Sequence, residues 1–429
     1  MSKVKNIALA GEGEKELAWA RQNMPVLAGI RKRFAKEKPF KGLRIGVALH
    51  LEKKTGVLLE ALAAGGAKVT ASSCNPLTTD DRVAAALAKS RSVEVYAWAG
   101  QLAREYYWCL GKVLDRRPHI IIDDGADLIF MLHNKRRAQL KEIYGACEET
   151  TTGVNRLKAM ERDGKLQLPV FAINDAYSKH LFDNRFGTAQ STISAIMQAT
   201  NILIAGKTIV VVGYGWCGRG IAERLKGLGA NVIVVEAGGR FHGVGESGHH
   251  RGLEALYSGF RVMNMAKAAP MGDIFITATG NKNVIGAQHF PKMKDGAILA
   301  NAGHFNVEID ERALRKMSRG VRTVKDNVVE YSLRAGKKLY LLSEGRLVNL
   351  ARPGGQGHPI EIMDASFALQ ALCCEHIARN RGRLIKAVHE VPQKIDDVVA
   401  QLVLASNGIL LDPPTKEQVK YAREWTVGT

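Results

Sequence analysis

The sequence predicts an α/β protein: two open parallel-sheet domains around a cleft, with a helical C-terminal extension. Three observations carry this expectation. Short β-branched and apolar runs alternate with stretches of helical spacing through the first third of the chain. The alternation resumes near residue 207, and a glycine-rich turn joins a strand to a helix at 213–218. Such alternation marks parallel sheets with helices on both faces.

Taken in order, LRIGVAL (43–49) reads as a strand and Thr55 to Ala64 as a helix. KVTASS (68–73), VEVYAW (93–98), HIIID (119–123) and LPVFAIN (168–174) read as further strands, because each is a short apolar run closed by a polar residue or a turn. In the middle of the chain KTIVVV (207–212) is a strand, followed by the glycine-rich turn and a helix to Leu225. NVIVVE (231–236), DIFITATG (273–280) and GAILANAG (296–303) continue the second series, and Asn306 to Leu314 leads into a less regular stretch. EIMDASFALQALCCEHIARN (361–380) has helical spacing, and LDPPTKEQVKYAREW (411–425) reads as a turn and a helix opened by Thr415.

Composition bounds the function. A chain of 429 residues, 46% hydrophobic and 24% charged, builds two or three domains with sizeable cores and is not wholly disordered. The formal charge of +19 admits a nucleic-acid partner. The basic residues are scattered, however, and the densest cluster, Arg379 to Lys386, lacks interleaved aromatics, so a soluble enzyme from a cell that favours Lys and Arg, or one handling anionic ligands, is expected instead. Six cysteines without a CxxC pair point to a reducing compartment. No signal peptide and no run of about 18 apolar residues is seen, so a cytoplasmic location and no membrane partner are expected.

Gly213-Tyr-Gly215-Trp-Cys-Gly218 matches G-x-G-x-x-G in the required setting, after a strand and before a helix. The first glycine turns the chain, the second lets backbone approach a pyrophosphate, and the third lets helix and strand pack closely. Glu236 ends the next strand, 18 residues beyond Gly218, where a carboxylate binds ribose hydroxyls and disfavours a 2′-phosphate. NAD is the expected cofactor.

Other polar residues follow apolar runs: His50, Asn75, Asp123, Asp124 and Asn174. Each alone fits a helix cap or turn, but together they suggest a polar cleft at the strand ends. EETTTG (148–153) reads as a helix start or as a set of ligands. Lys179 and Asp183, four apart, read as a surface ion pair or as a buried proton-exchange pair.

SSCNPLTTDD (72–81), IIDDGADL (121–128), EETTTGVNRL (148–157), NDAYSKHLFDN (174–184), AGKTIVVVGYGWCGRG (205–220), MKDGAILANAGHFNVEID (293–310), EGRLVNL (344–350) and GHP (357–359) together resemble the S-adenosyl-L-homocysteine hydrolase family, in the family's order over nearly the whole chain. The resemblance implies a reversible hydrolysis to adenosine and L-homocysteine. Its steps are NAD-dependent oxidation of the ribose 3′-hydroxyl, elimination of the thiol, water addition and re-reduction. It implies catalytic roles for His50, Asp124, Glu149, Lys179 and Asp183. Lys179 is matched to 3′ oxidation, His50 and Asp124 to proton transfer at C4′ and C5′, and Glu149 to the ribose hydroxyls. The nucleoside thioether would also meet Glu52, Lys54, His304 and His358. NAD would be held by Thr150, Thr151, Thr152, Asn184, Gly213, Gly215, Trp216, Cys217, Gly218, Arg219, Gly220, Glu236, Gly303, His304 and Asn349. No metal is expected. The implied domains are a substrate-binding domain at 1–186 completed by 352–385, an NAD-binding domain at 187–351, and a C-terminal oligomerisation segment at 386–429. Hinges fall near 185–190 and 351–358, and the implied assembly is a homotetramer.

The chain departs from the family pattern in several places. Glu52 stands where many members have Thr, Lys54 where they have Glu or Gln, and Thr188 where a Cys is frequent. A Lys only donates, so the preference for adenine is open. The ending YAREWTVGT resembles the short-tailed branch of archaea and thermophilic bacteria, which includes enzymes for S-inosyl-L-homocysteine. That substrate is the alternative expectation. A non-catalytic NAD-binding regulator is a further one, opposed by the presence of Lys179, Asp183, Asp124 and Glu149. AGGRFHGVGESGHHRG (237–252) reads as an inserted loop, and its histidines at 242, 249 and 250 fit no standard metal spacing. ARPGGQ (351–356) is about two residues longer than the family's usual segment.

Overall fold

A computed structural model describes residues 2–90, 92–239, 246–334, 336–351 and 354–426. Among these residues the chain builds two eight-stranded sheets. The first contains β1 (Lys3–Val4), β2 (Arg44–Ala48), β3 (Lys68–Ser72), β4 (Val93–Ala97), β5 (Ile120–Asp123), β6 (Gly145–Glu148) and β7 (Val170–Ala172). The second contains β8 (Thr208–Val212), β9 (Asn231–Val235), β10 (Arg261–Met263), β11 (Ile274–Thr277), β12 (Ala297–Asn301), β13 (Ser318–Lys325), β14 (Val328–Leu333) and β15 (Lys338–Leu342). β16 (Val388–Glu390) returns to the first sheet beside β7.

The first sheet has the order β1-β4-β3-β2-β5-β6-β7-β16, and every pair is parallel. The order reverses between β2 and β5. In the second sheet, β10-β9-β8-β11-β12-β15-β14-β13, it reverses between β8 and β11. Ligands of open α/β sheets sit outside such reversal points, where the loops from two neighbouring strands leave in opposite directions and open a crevice. The central strands are buried Val, Ile, Leu and Ala runs because helices cover both faces.

The parallel expectation needs correction at one edge of the second sheet. β13 and β14 pair antiparallel, as do β14 and β15. Only Asp326 and Asn327 separate β13 from β14, too few for a parallel crossover, and Asn327 takes φ 61 in the turn. The stretch after Leu314 looked irregular because β13 is mostly exposed and charged, with no apolar face to reveal it.

Tyr177–Lys179, His180–Gly187 and Thr188–Thr200 form one helical passage from the first sheet to the second, its middle part wound as π-helix. The expected hinge at 185–190 lies within this passage. The second expected hinge, 351–358, includes residues 352 and 353, which lie outside the described residues. Helix Ile360–Arg379 then packs back on the first sheet's core. The return continues past residue 385, since Val388 pairs with Val170 in the sheet. Of the 237–252 insertion, residues 240–245, and with them His242, lie outside the described residues. Its last part is helical: Gly248–Tyr257, started by Ser247, whose Oγ accepts from His250 N. The reading of 237–252 as one loop is therefore corrected from Gly248 onward.

Candidate active site

The two sheets turn their carboxyl strand ends toward one cleft of about 840 Å³. Of the residues assigned to catalysis, substrate and cofactor, all but Gly218 and Gly220 line it, whereas Asn75 and Asp123, also expected at the cleft, do not. Gly218 packs inside the turn, where a Cβ would stand 1.9 Å from Gly213 O, and Gly220 packs on the helical passage, where one would stand 1.8 Å from Arg185 O.

His50 follows β2 and Asp124 follows β5, so the strand-order reversal puts them side by side. His50 Nε2 lies 3.2 Å from Asp124 Oδ2, and its Nδ1 lies 2.8 Å from Thr78 Oγ1. Burial pushes the His50 pKa down to about 4, so the ring is neutral at pH 7 and can accept a proton. Burial alone would raise Asp124, but His304 and His50 outweigh it and hold the carboxyl below its usual range. His304 comes from the second sheet, with Nδ1 3.5 Å from Asp124 Oδ1.

The second constellation stands on the helical passage. Lys179 Nζ donates to Asn184 Oδ1 at 2.8 Å and Asp183 Oδ1 at 3.1 Å, and lies 3.6 Å from Glu149 Oε1. Burial opposes the Lys179 charge, yet Asp183 and Glu149 more than offset it and keep the ammonium. Asp183 accepts from Ser366 Oγ at 2.7 Å and lies 2.9 Å from His358 Nδ1; against burial, Lys179 and His358 hold its carboxyl well below the usual range. Glu149 accepts from Gln370 Nε2 at 2.6 Å, and burial drives it up to about 8 despite Lys179.

Buried groups behind these residues fix them. Glu148 accepts from Gly125 N, Ala126 N and Thr150 N, tying the turn after Asp124 to the helix start after Glu149. That turn runs left-handed through Gly125 (φ 91) and Ala126 (φ 63). Asp396, far away in sequence, accepts from Tyr177 N at 2.7 Å and Ser178 N at 2.9 Å, fixing the start of the Lys179 passage. The EE doublet was visible in the sequence; nothing there linked Asp396, Ser366 or Gln370 to Lys179, Asp183 or Glu149.

On the other wall Gly213 takes φ 98 and opens the cradle before helix Trp216–Gly227. A Cβ on Gly213 would meet Ala278 O at 2.8 Å, so only glycine fits between the ends of β8 and β11. Glu236 accepts from Tyr214 N at 2.8 Å and pairs with Arg251 at 3.0 Å. Arg219 lies over Trp216 at 4.5 Å and pairs with Glu246 and Glu254. Cys217 Sγ reaches Thr188 Oγ1 at 3.5 Å. Thr150 caps helix Thr151–Arg162, and Thr151 Oγ1 and Asn184 Nδ2 both donate to Asn174 Oδ1 at 3.0 Å. Gly303, Thr152 and Asn349 line the same wall, and the Asn349 Oδ1 is buried without a hydrogen-bond partner among the described residues. A glycine cradle at a helix start, a carboxylate at the next strand end and an unsatisfied amide oxygen fit a dinucleotide.

At the far end Glu52 caps helix Lys53–Ala64 through Lys54 N and Thr55 N. Its Oε2 lies 3.0 Å from Lys54 Nζ, which also donates to Gln356 O at 2.8 Å. Of the insertion's histidines, His250 is engaged with Ser247 Oγ at 3.0 Å.

Comparison with known proteins agrees with this geometry. The profile of the S-adenosyl-L-homocysteine hydrolase family matches residues 1–141, and that of its NAD binding domain matches 184–355. The chain is 55% identical over 429 residues to the S-inosyl-L-homocysteine hydrolase of Methanocaldococcus jannaschii, covering 100% of both chains. It is 54% identical to the adenosylhomocysteinase of Pyrococcus abyssi, covering 99% of this chain and 98% of that one. With the adenosylhomocysteinase of Sulfurisphaera tokodaii the identity is 53%, over 100% and 99%. Fold and site thus define an NAD-dependent hydrolase whose cleft lies between two mostly parallel sheets. The chain belongs to the S-adenosyl-L-homocysteine hydrolase family.

Proposed function

We propose that the protein reversibly hydrolyses S-adenosyl-L-homocysteine to adenosine and L-homocysteine. The observation that carries this is the Lys179–Asp183–Asn184–Glu149 network on one wall, with His50 and Asp124 on the same sheet and the glycine cradle opposite. Gly213, Gly215 and Gly218 shape the phosphate seat, Glu236 takes the adenosine ribose, and Thr150, Thr151, Thr152, Asn184 and Asn349 reach the cofactor from outside that turn. Bound there, NAD supplies a reversible oxidation of the substrate's 3′-hydroxyl.

Glu149 and Asp183 hold the ribose hydroxyls, and Lys179 handles the 3′-oxygen and its proton. As arranged, Asp183 and Glu149 keep Lys179 an ammonium. Substrate hydroxyls engaging those two groups weaken that hold and make Lys179 a competent proton acceptor. The 3′-ketone acidifies the 4′-hydrogen. The neutral His50 and the Asp124 carboxylate are the bases beside that position. One removes the 4′ proton, the C5′–S bond breaks, and the thiol leaves with that same proton, relayed through the pair across 3.2 Å. Water then adds to the C4′=C5′ bond by the same pair in reverse. Burial of this machinery excludes bulk water from the reactive ketone.

A second reading changes only the base. Lys54 is a donor and suits a carbonyl oxygen, the 6-position of hypoxanthine, which favours S-inosyl-L-homocysteine. NAD-loaded protein incubated with homocysteine plus adenosine or inosine in parallel separates the readings. Faster use of adenosine supports the first and faster use of inosine the second, whereas no product from either revives a non-catalytic NAD-binding role.

The domain division at 186/187 and 351/352 accompanies this proposal, with the returning chain counted in the first domain through β16 and Asp396 and the exposed remainder serving assembly. It is supported by the passage between sheets near residue 187 and by the exposed apolar side chains Leu410 (90%) and Trp425 (93%) in the final segment. A homotetramer in the cytoplasm is the setting we infer. Among the described residues no helix is long and apolar enough to cross a membrane.

A further inference from the structure

The His50–Asp124 pair has a third member that neither the sequence nor the proposed reaction uses. Cys74 follows β3, as His50 follows β2 and Asp124 follows β5. These are three neighbouring strands of the first sheet, so one sheet edge delivers a thiol, an imidazole and a carboxylate to one point. Their ligand atoms all lie within 4.8 Å of one another, and among the described residues no other set of three His, Cys, Asp or Glu side chains meets that condition. Cys74 Sγ stands 3.3 Å from Asp124 Oδ2, and His50 Nε2 stands 3.2 Å from that oxygen.

Those separations resemble the edges of a coordination tetrahedron. With zinc–sulfur near 2.3 Å and zinc–nitrogen and zinc–oxygen near 2.0–2.2 Å, tetrahedral ligand atoms stand about 3.3–3.6 Å apart. Two further features belong to a ligand set. The other ring nitrogen of His50 is held by Thr78 Oγ1 at 2.8 Å, the outer hydrogen bond that orients a metal-binding imidazole. The other oxygen of Asp124, a residue only 3% exposed, is buried without a hydrogen-bond partner among the described residues, with His304 Nδ1 the nearby group at 3.5 Å. A mixed sulfur, nitrogen and oxygen set suits zinc-type ions and is too soft for magnesium or calcium.

We propose that His50 Nε2, Cys74 Sγ and Asp124 Oδ2 form a seat for one thiophilic divalent cation, with its fourth position facing the cleft. Binding releases the Cys74 proton to solvent and forms a sulfur–metal bond. The ion occupies the two side chains to which proton transfer is assigned, so the seat is inhibitory: cation and nucleoside turnover exclude each other. The seat rests on geometry and stands whichever nucleoside the cleft accepts.

The test uses purified NAD-loaded protein and Co²⁺ as the probe, since a cobalt–thiolate bond has an intense charge-transfer absorption and tetrahedral cobalt a characteristic visible spectrum. One Co²⁺ per chain with both signatures, displaced by Zn²⁺, is expected. Cys74→Ser and Cys74→Ala should each abolish the charge-transfer band, while Cys217→Ser, which removes the thiol lining the opposite wall, should keep it. Circular dichroism of each variant establishes that it is folded. No thiolate band in the wild type, or a band surviving in a folded Cys74 variant, overturns the proposal.

Discussion

The ammonium of Lys179 and the carboxylate of Asp183 meet at 3.1 Å, both almost wholly buried, on the passage between the two sheets. At i,i+4 spacing such a pair on a surface contributes a few tenths of a kcal/mol. Here Asp183 also accepts from Ser366 on the helix that returns from the second sheet, so the pair joins two parts of the chain at the reacting point.

Lys179→Ala should retain NAD, because the glycine cradle and Glu236 are untouched, yet lose the oxidation of the 3′-hydroxyl. A positioned acid–base group contributes roughly 10²–10⁴-fold. Single-turnover formation of reduced nicotinamide with nucleoside added is the measurement. Turnover within a few-fold of wild type removes Lys179 from the role.

Glu149 titrates near 8 in the fold because burial disfavours its charge. Its folded value lies above the unfolded carboxylate value of about 4.3. The stability this gives is complete below about pH 4.3 and is lost as pH rises to 8. Relative to wild type, Glu149→Gln should therefore gain in melting temperature between pH 5 and 9. If the carboxylate form binds the ribose, 3′ oxidation should also rise through pH 8 in the wild type and lose that limb in the variant. A constant melting difference across this range would contradict the raised titration.

Glu236→Ala should release NAD more readily. Hydrogen bonds to a charged partner contribute about 1.5–3 kcal/mol, or roughly ten- to a hundredfold in affinity. The substitution also strips Arg251 of its partner at 3.0 Å. A variant purified with a full complement of NAD, and keeping it on dilution, would count against ribose recognition here.

Asp396→Ala should lower kcat although Asp396 does not line the cleft. Its carboxylate caps Tyr177 N and Ser178 N, immediately before Lys179. Loss of such a cap costs about 0.5–2 kcal/mol of stability. If it positions Lys179, kcat falls with NAD retention unchanged, and Asp396→Asn, which keeps one acceptor oxygen, recovers part of it. Lower melting temperature with wild-type kcat would leave Asp396 a structural cap alone.

Much of the fold was legible because its signals are local. The buried runs IIID and TIVVV are short, β-branched and bounded by polar residues, so strands could be placed before any contact was known. β6, four residues GACE, lacks such a run and was not distinguished, although it carries Glu148 and leads to Glu149. β13 hid for the opposite reason: its alternation faces solvent on a sheet edge. The glycine motif was readable because Gly213 and Gly218 answer steric demands, such as the 1.9 Å that a Gly218 Cβ would leave to Gly213 O.

By itself, the sequence determined the alternation of strands and helices, the nucleotide turn and the residue types at the strand ends. These depend on neighbours a few positions apart, through side-chain periodicity and backbone sterics. Only the tertiary structure decided which ends meet. Strand order set His50, Cys74 and Asp124 side by side, the return of the chain brought Ser366 to Asp183 and Asp396 beneath Lys179, and the second sheet placed His304 against Asp124. Burial then moved the His50 titration to about 4 and that of Glu149 to about 8, shifts created by desolvation and by charges distant in sequence.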